Sequence, residues 1–259
     1  MSWQRHAPFL RTSFWRMALH QRNIFTIGQI GDGREAAAAR YVVANARRGD
    51  PDDVIATIDR FAYEESFLIN VGDEKGALLD AAVARAQPRL ALELGTYCGY
   101  GALRIARAAP AARVFSIELA AANAEIARSI WAHAGLADRI TCVVGTIGDG
   151  GATLDTLAQH GFDTGTLDFM FIDHDKSAYL ADLHSVLDRG WLRSAEATGN
   201  RGCGAIVVAD NVKLPGAPDY LAYMRAEQGR RWNTVEHKTH GEYQTLLRDL
   251  MLESELLRG

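Results

Sequence analysis

Two apolar runs in this chain end in oxygen-bearing side chains. Phe171-Ile172 leads into Asp173-His174-Asp175-Lys176, and Val208-Ala209 leads into Asp210-Asn211. Two carboxylates and an amide oxygen, from Asp173, Asp210 and Asn211, suit a hard cation such as Mg²⁺, with water or substrate completing its octahedron. They suit zinc poorly, and no Cys/His cluster supports zinc. His174 is a lone histidine, for which an ordinary hydrogen-bonding role is the default. Lys176 follows Asp173 by three residues, a spacing that sets both on one side of a helical turn. A divalent cation close by favours the neutral form of an amine. A neutral Lys176 would remove a proton from a hydroxyl held at the metal. The competing reading is a solvated lysine at a helix start, and the neighbouring metal donors favour the chemical one.

A glycine-rich turn stands earlier in the chain, in Leu92-Glu93-Leu94-Gly95-Thr96-Tyr97-Cys98-Gly99-Tyr100-Gly101. Glycines after a first strand let a ligand approach the backbone, and the next helix offers free N–H groups to an anionic moiety. The spacing of Gly95, Gly99 and Gly101 is not the G-x-G-x-x-G of dinucleotide binders. Glu118 ends a second apolar run, where a carboxylate can accept both hydroxyls of a ribose, in NAD sites and other nucleoside sites alike. The plain alternative is a structural turn plus a surface glutamate.

These residues need strands to present them. Segments 89–94, 113–119, 140–144, 167–172 and 205–209 read as strands, and 232–238 and 242–249 as two more. Helical stretches near 100–108, 121–134, 150–159 and 177–189 alternate with them, which predicts a parallel sheet with helices on both faces. Helices over 34–47, from Asp50-Pro51 onward and over about 74–86 precede every strand. The polar, glycine-rich stretch 194–204 reads as a surface excursion.

Composition excludes several classes. The formal charge of −4 argues against a general nucleic-acid binder. No apolar run reaches the length of a membrane span, and arginines interrupt any signal-peptide pattern. Cys98, Cys142 and Cys203 are too few for a disulfide scaffold and fit a reducing, cytoplasmic compartment. Lysine is scarce: Lys75, Lys176, Lys213 and Lys238 stand among many arginines. The chain divides into an arm, 1–31, and one domain, 32–259. The arm carries four arginines and no acid, interleaved with Trp3, Phe9, Phe14, Trp15 and Phe25. It would pack on the domain or a second subunit, or touch an anionic membrane weakly; a transit peptide fits less well, because serine is scarce.

Taken in order, ELGTYCGYGALRIARA, FSIEL, FIDHDKSAYL and VVADNVKLPGAPDYLAYMR, preceded by INVGDEKG at 69–76, resemble the catechol O-methyltransferases. The resemblance runs from about Gly33 to near the C-terminus. It implies a Rossmann-like, seven-stranded, mostly parallel sheet with an antiparallel last strand, S-adenosylmethionine and Mg²⁺ as cofactors, and a small catechol or related phenolic as partner. Glu93, Gly95, Tyr97 and Gly99 fall in the implied cofactor loop, Val71 and Gly101 near the methionine moiety, and Glu118 at the ribose. Asp173 and His174 complete the cofactor positions. Asp173, Asp210 and Asn211 match the metal ligands, and Lys176 the general base. Phe67, Ile69, Asp175, Pro215 and Glu242 match the acceptor pocket, with Glu242 holding the second hydroxyl.

Several positions depart from the mammalian pattern of that family. Phe67 and Ile69 stand for tryptophan and methionine, Asp175 for an aromatic residue, and Gly101 for serine. Ile147 and Gly148 replace polar residues near the adenine. The metal ligands and the lysine are intact. The readings left open are a methyltransferase for another vicinal-diol phenolic, of caffeoyl or polyketide type, and a non-catalytic cofactor-binding protein. An NAD-dependent dehydrogenase lacks its glycine pattern here.

Overall fold

The computed structural model describes residues 6, 8–199 and 203–259. A short 3₁₀ turn, Pro8–Leu10, leads into helix α1 (Thr12–Ile27). Helices α2 (Arg34–Asn45), α3 (Pro51–Glu64) and α4 (Gly72–Ala86) follow before any strand. Asp50 caps α3 as expected: its carboxylate accepts from the Asp53 N–H at 3.1 Å, and Pro51 takes the first helical position. Val54, Ile55, Ile58, Phe61 and Ala62 then share the buried face.

From β1 (Leu90–Leu94) the chain alternates: α5 (Tyr100–Ala108), β2 (Arg113–Glu118), α6 (Ala121–His133), β3 (Ile140–Val144), α7 (Ala152–Gln159), β4 (Phe169–Ile172), α8 (Tyr179–Asp188). A short helix α9 (Ala195–Thr198), capped by Ser194, and β5 (Ile206–Ala209) come next. α9 lies inside the stretch read as a surface excursion, of which 200–202 lie outside the described residues. Then come α10 (Pro218–Ala226), β6 (Trp232–His240) and β7 (Arg248–Leu256).

The seven strands pair in the order β3-β2-β1-β4-β5-β7-β6, with β7 antiparallel to both neighbours. β1 and β4 are parallel, and the order in which strands are added to the sheet reverses between them, at the crevice where open α/β sheets bind ligands. Every residue of β1 is buried, because helices cover both faces. Ala91, Val114 and Phe171 pack towards α2–α6, while Leu92, Phe115 and Ile172 pack towards α7, α8 and α10.

The last strand departs from expectation: it spans 248–256, not 242–249. Residues 241–247 form a turn instead. Tyr243 adopts φ 52°, outside any strand, and the Gln244 amide accepts from the Leu246 and Leu247 N–H groups at 2.7 Å. α10 was not foreseen, although Pro218 at its start and buried Tyr220 and Met224 four apart are helical signals.

Trp3 and the side chains of Phe9, Arg22 and Phe25 lie outside the described residues. The described arm packs on the domain. Phe14 meets Phe67 edge-on with centroids 5.6 Å apart, and the buried Arg11 donates to the Ala62 carbonyl at 2.5 Å. Among the described residues, no helix is long and apolar enough to cross a membrane.

Candidate active site

The carboxyl ends of β1, β2, β4 and β5 gather the predicted residues on one rim. Asp173 follows β4, and Lys176 lies in the turn that opens α8. The Lys176 ammonium donates to Asp173 Oδ1 at 2.8 Å and to the Tyr179 hydroxyl at 2.7 Å. Tyr179 in turn donates to the Asp210 carbonyl at 3.0 Å. The lysine is therefore held, not solvated.

Asp210 follows β5 and is fully buried. Its Oδ1 accepts from the Asn211 N–H at 2.7 Å and pairs with the Lys75 ammonium at 2.8 Å. Its Oδ2 is buried with no hydrogen-bond partner. A buried, unpartnered carboxylate oxygen is costly unless something binds it. Burial pushes the Asp210 carboxyl up to about 8, with Asp173 and Glu242 adding to the shift and Lys75 opposing it. Asn211 sits at φ 55° and donates through Nδ2 to Glu242 at 2.7 Å and Asp249 at 2.8 Å.

Lys75, Asp249 and Tyr179 are the residues that sequence reading missed. Lys75 comes from α4 and is almost wholly buried; besides Asp210 it meets Glu242 at 2.6 Å and Asp249 at 3.1 Å. One of only four lysines in an arginine-rich chain, inside INVGDEKG, was the available signal for Lys75.

Two carboxylates and one amide oxygen fit a hard divalent cation. Among the described residues no group of three or more His, Cys, Asp or Glu is arranged to hold a metal. Charge agrees. Asp173, Asp210, Glu242 and Asp249 oppose only Lys75 and Lys176. Taken as charged, four against two leaves −2.

The glycine loop binds the strand ends together. Gly95 adopts φ 98°, and a Cβ there would lie 2.6 Å from the Asp173 carbonyl oxygen. Gly99 accepts from the Trp131 indole at 2.8 Å and leaves no room for a side chain. Beside Gly101 lies the Glu93 carboxylate, which accepts from Ser116 and is pushed well above the usual range by burial. A serine at 101 would collide with it.

Glu118 ends β2 and is buried. It accepts from the backbone N–H groups of Tyr97 and Ala120, both at 2.8 Å, and burial raises its carboxyl. The Asn123 amide donates to it as well, at 3.3 Å; of a carboxylate's roughly four lone-pair sites about one is left for a ribose hydroxyl. His174 donates or accepts through Nε2 to Asp182 at 2.8 Å, stacks on Tyr179, and leaves Nδ1 buried without a partner. Val71 is buried at the start of α4.

The acceptor residues are less uniformly placed. Glu242 joins the cluster. Asp175 is exposed, with its carboxylate accepting from Ser177 at the N–H (3.0 Å) and hydroxyl (2.8 Å). Pro215 is exposed in the turn after β5, and Ile69 is half-buried. Phe67 is not on an open wall: it is enclosed by Phe14, Tyr243 and the Arg11 guanidinium. Ile147 is buried in the α7 side of the core.

This sheet order, with the glycine loop and the carboxylates gathered at the β1/β4 crevice, defines a Rossmann-like methyltransferase fold. A solved O-methyltransferase from Bacillus cereus, in complex with SAH, has the same fold (TM-score 0.60, 20% identity, 95% of this chain and 100% of that one). The family model described as "O-methyltransferase" matches residues 50–194. A Mycobacterium tuberculosis protein named "Probable O-methyltransferase" is 71% identical over 241 residues, covering 93% of this chain and 100% of the other. Catechol O-methyltransferase B of Danio rerio is 40% identical over 205 residues, 79% of this chain and 72% of that one. The chain belongs to the O-methyltransferase family, among its catechol O-methyltransferase-like members.

Proposed function

We propose that the protein moves the methyl group of S-adenosylmethionine to one hydroxyl of a catechol-type acceptor, with Mg²⁺ held by Asp173, Asp210 and Asn211. The observation that carries this reading is the orphaned Asp210 Oδ2, buried on the same rim as the Lys176 amine. When bound, the cation supplies the positive charge that favours an ionised acceptor oxygen. Lys176 Nζ takes the hydroxyl proton, and Asp173 and Tyr179 keep the amine in place. Glu242 accepts from the second hydroxyl. Glu118 accepts from the ribose, and the β1–α5 loop with Val71 seats the methionine end. The acceptor oxygen then bonds to the methyl carbon as the carbon–sulfur bond breaks, leaving a neutral thioether. Fixing both partners in near-attack geometry removes much of the entropic barrier.

The test is a methyl-transfer screen over catechols, other vicinal diols and monophenols, with Mg²⁺ and with EDTA. Mg²⁺-dependent transfer to vicinal diols is expected. Transfer to no vicinal diol, or equal rates in EDTA, would sink the reading.

The exposed Asp175 carries a negative charge one residue from Lys176. Catechols with a cationic tail should therefore turn over faster than those with a carboxylate tail. Asp175→Ala should shrink that ratio by roughly two- to fivefold, the scale of an exposed ion pair. A ratio that does not move would remove the role.

A further inference from the structure

Lys75 offers three protons, and each meets a carboxylate: Asp210, Glu242 and Asp249. These partners come from the end of β5, the 241–247 turn and β7, so one ammonium from α4 joins three separate segments. We propose that Lys75 is a resident cation that sets which oxygens the metal-binding residues can offer, and so keeps positions on the ion open for the acceptor. This rests on the reading that Asp173, Asp210 and Asn211 hold a divalent cation.

Two features of the geometry carry the proposal. Asp210 Oδ1 is occupied by Lys75 at 2.8 Å and by the Asn211 N–H at 2.7 Å, while Oδ2 has no partner. Only one oxygen of this carboxylate is free to face an ion. Asn211 is constrained as well. Its Nδ2 protons go to Glu242 Oε1 (2.7 Å) and Asp249 Oδ2 (2.8 Å), both oxygens that Lys75 also grips. Ionised carboxylates only accept, so the amide cannot flip, and its oxygen is the atom left to face a cation. Asp249 is pinned from behind: its Oδ1 accepts from the Leu214 N–H at 2.9 Å.

Without Lys75, Asp210 Oδ1 would keep only the Asn211 N–H, and the cluster would hold one positive charge fewer. Both changes point the same way. The ion would be gripped more tightly and would keep fewer exchangeable positions.

The experiment uses Mn²⁺ as the probe, in the full chain without acceptor, and compares wild type with Lys75→Met. Mn²⁺ affinity and the water-proton relaxivity of the bound ion are measured. The variant should bind Mn²⁺ on the order of tenfold tighter, with lower relaxivity per bound ion. S-adenosylmethionine affinity should hold, and the acceptor KM should rise. Weaker Mn²⁺ binding in the variant, or unchanged relaxivity, would overturn the proposal. Wild type that binds no Mn²⁺ would overturn the metal reading itself, a separate failure seen before any variant is compared. Where Lys75→Met fails to fold, Lys75→Gln serves. Its side chain is one bond shorter and uncharged, so it frees the same carboxylate, and the same two readings decide.

Discussion

Lys176→Met is expected to lower kcat by roughly 10²- to 10⁴-fold, the range for a positioned acid–base group, while S-adenosylmethionine binds as before. Methionine keeps an unbranched apolar chain in place of the lysine stem, whose amine lies 5.0 Å from the Tyr179 ring centroid in the wild type. It removes the amine that takes the hydroxyl proton in the proposed step. The contacts at 2.8 Å to Asp173 and 2.7 Å to Tyr179 vanish with it. Neither contact belongs to the glycine loop or to Glu118, and of the proposed cofactor positions only Asp173 loses a partner, so cofactor affinity should change little. Lys176→Arg should fail to rescue, because a guanidinium stays protonated and cannot act as a base. Steady-state turnover at saturating catechol and Mg²⁺, with calorimetric S-adenosylmethionine affinity alongside, checks both halves. A variant with more than half of wild-type turnover would remove Lys176 as the base.

The sheet was legible because its strands are short apolar runs that end in residues with chemistry. Glu93, Glu118, Asp173 and Asp210 were found by that rule, and all four sit at strand ends on one rim. Tyr179 and Lys75 were missed for a different reason. The local signal at Lys75, a scarce lysine inside INVGDEKG, does not say what it meets, and nothing local marks Tyr179. Lys75 acquires its meaning from Asp249, 174 positions away, across a contact that only the folded sheet creates. The error over the last strand has the same root. Tyr243, Leu246 and Leu247 carry apolar side chains at plausible spacing, but Gln244 side-chain bonds hold them in a turn. That turn is what brings Glu242 back to Lys75 and Asn211. Phe67 shows the limit from the other direction. A position match predicted a pocket wall, while α1, which lies outside the resemblance, covers its ring.

Removing the proposed metal, or its proposed ligand Asp210, should cost activity on the same scale as removing the base. Asp210→Ala deletes the free oxygen that faces the proposed ion and leaves Lys75 with Glu242 and Asp249 alone. Mg²⁺ affinity should fall by roughly 100-fold or more, since even outer residues of a metal site carry 10- to 100-fold effects. The wild type should also show a pH signature. Burial raises the Asp210 carboxyl to about 8, so below that value a proton holds the oxygen that the cation needs. Binding the cation must expel it. A raised carboxyl binds its proton more firmly in the folded chain, so apparent Mg²⁺ affinity should climb with pH, by up to about tenfold per unit between about 6 and 8, then level off. Asp210→Ala should remove that slope along with the affinity. Calorimetry in two buffers of different ionisation enthalpy reads both the affinity and the released proton. A flat wild-type profile across this range, or a variant that retains the slope, would take Asp210 out of the metal site.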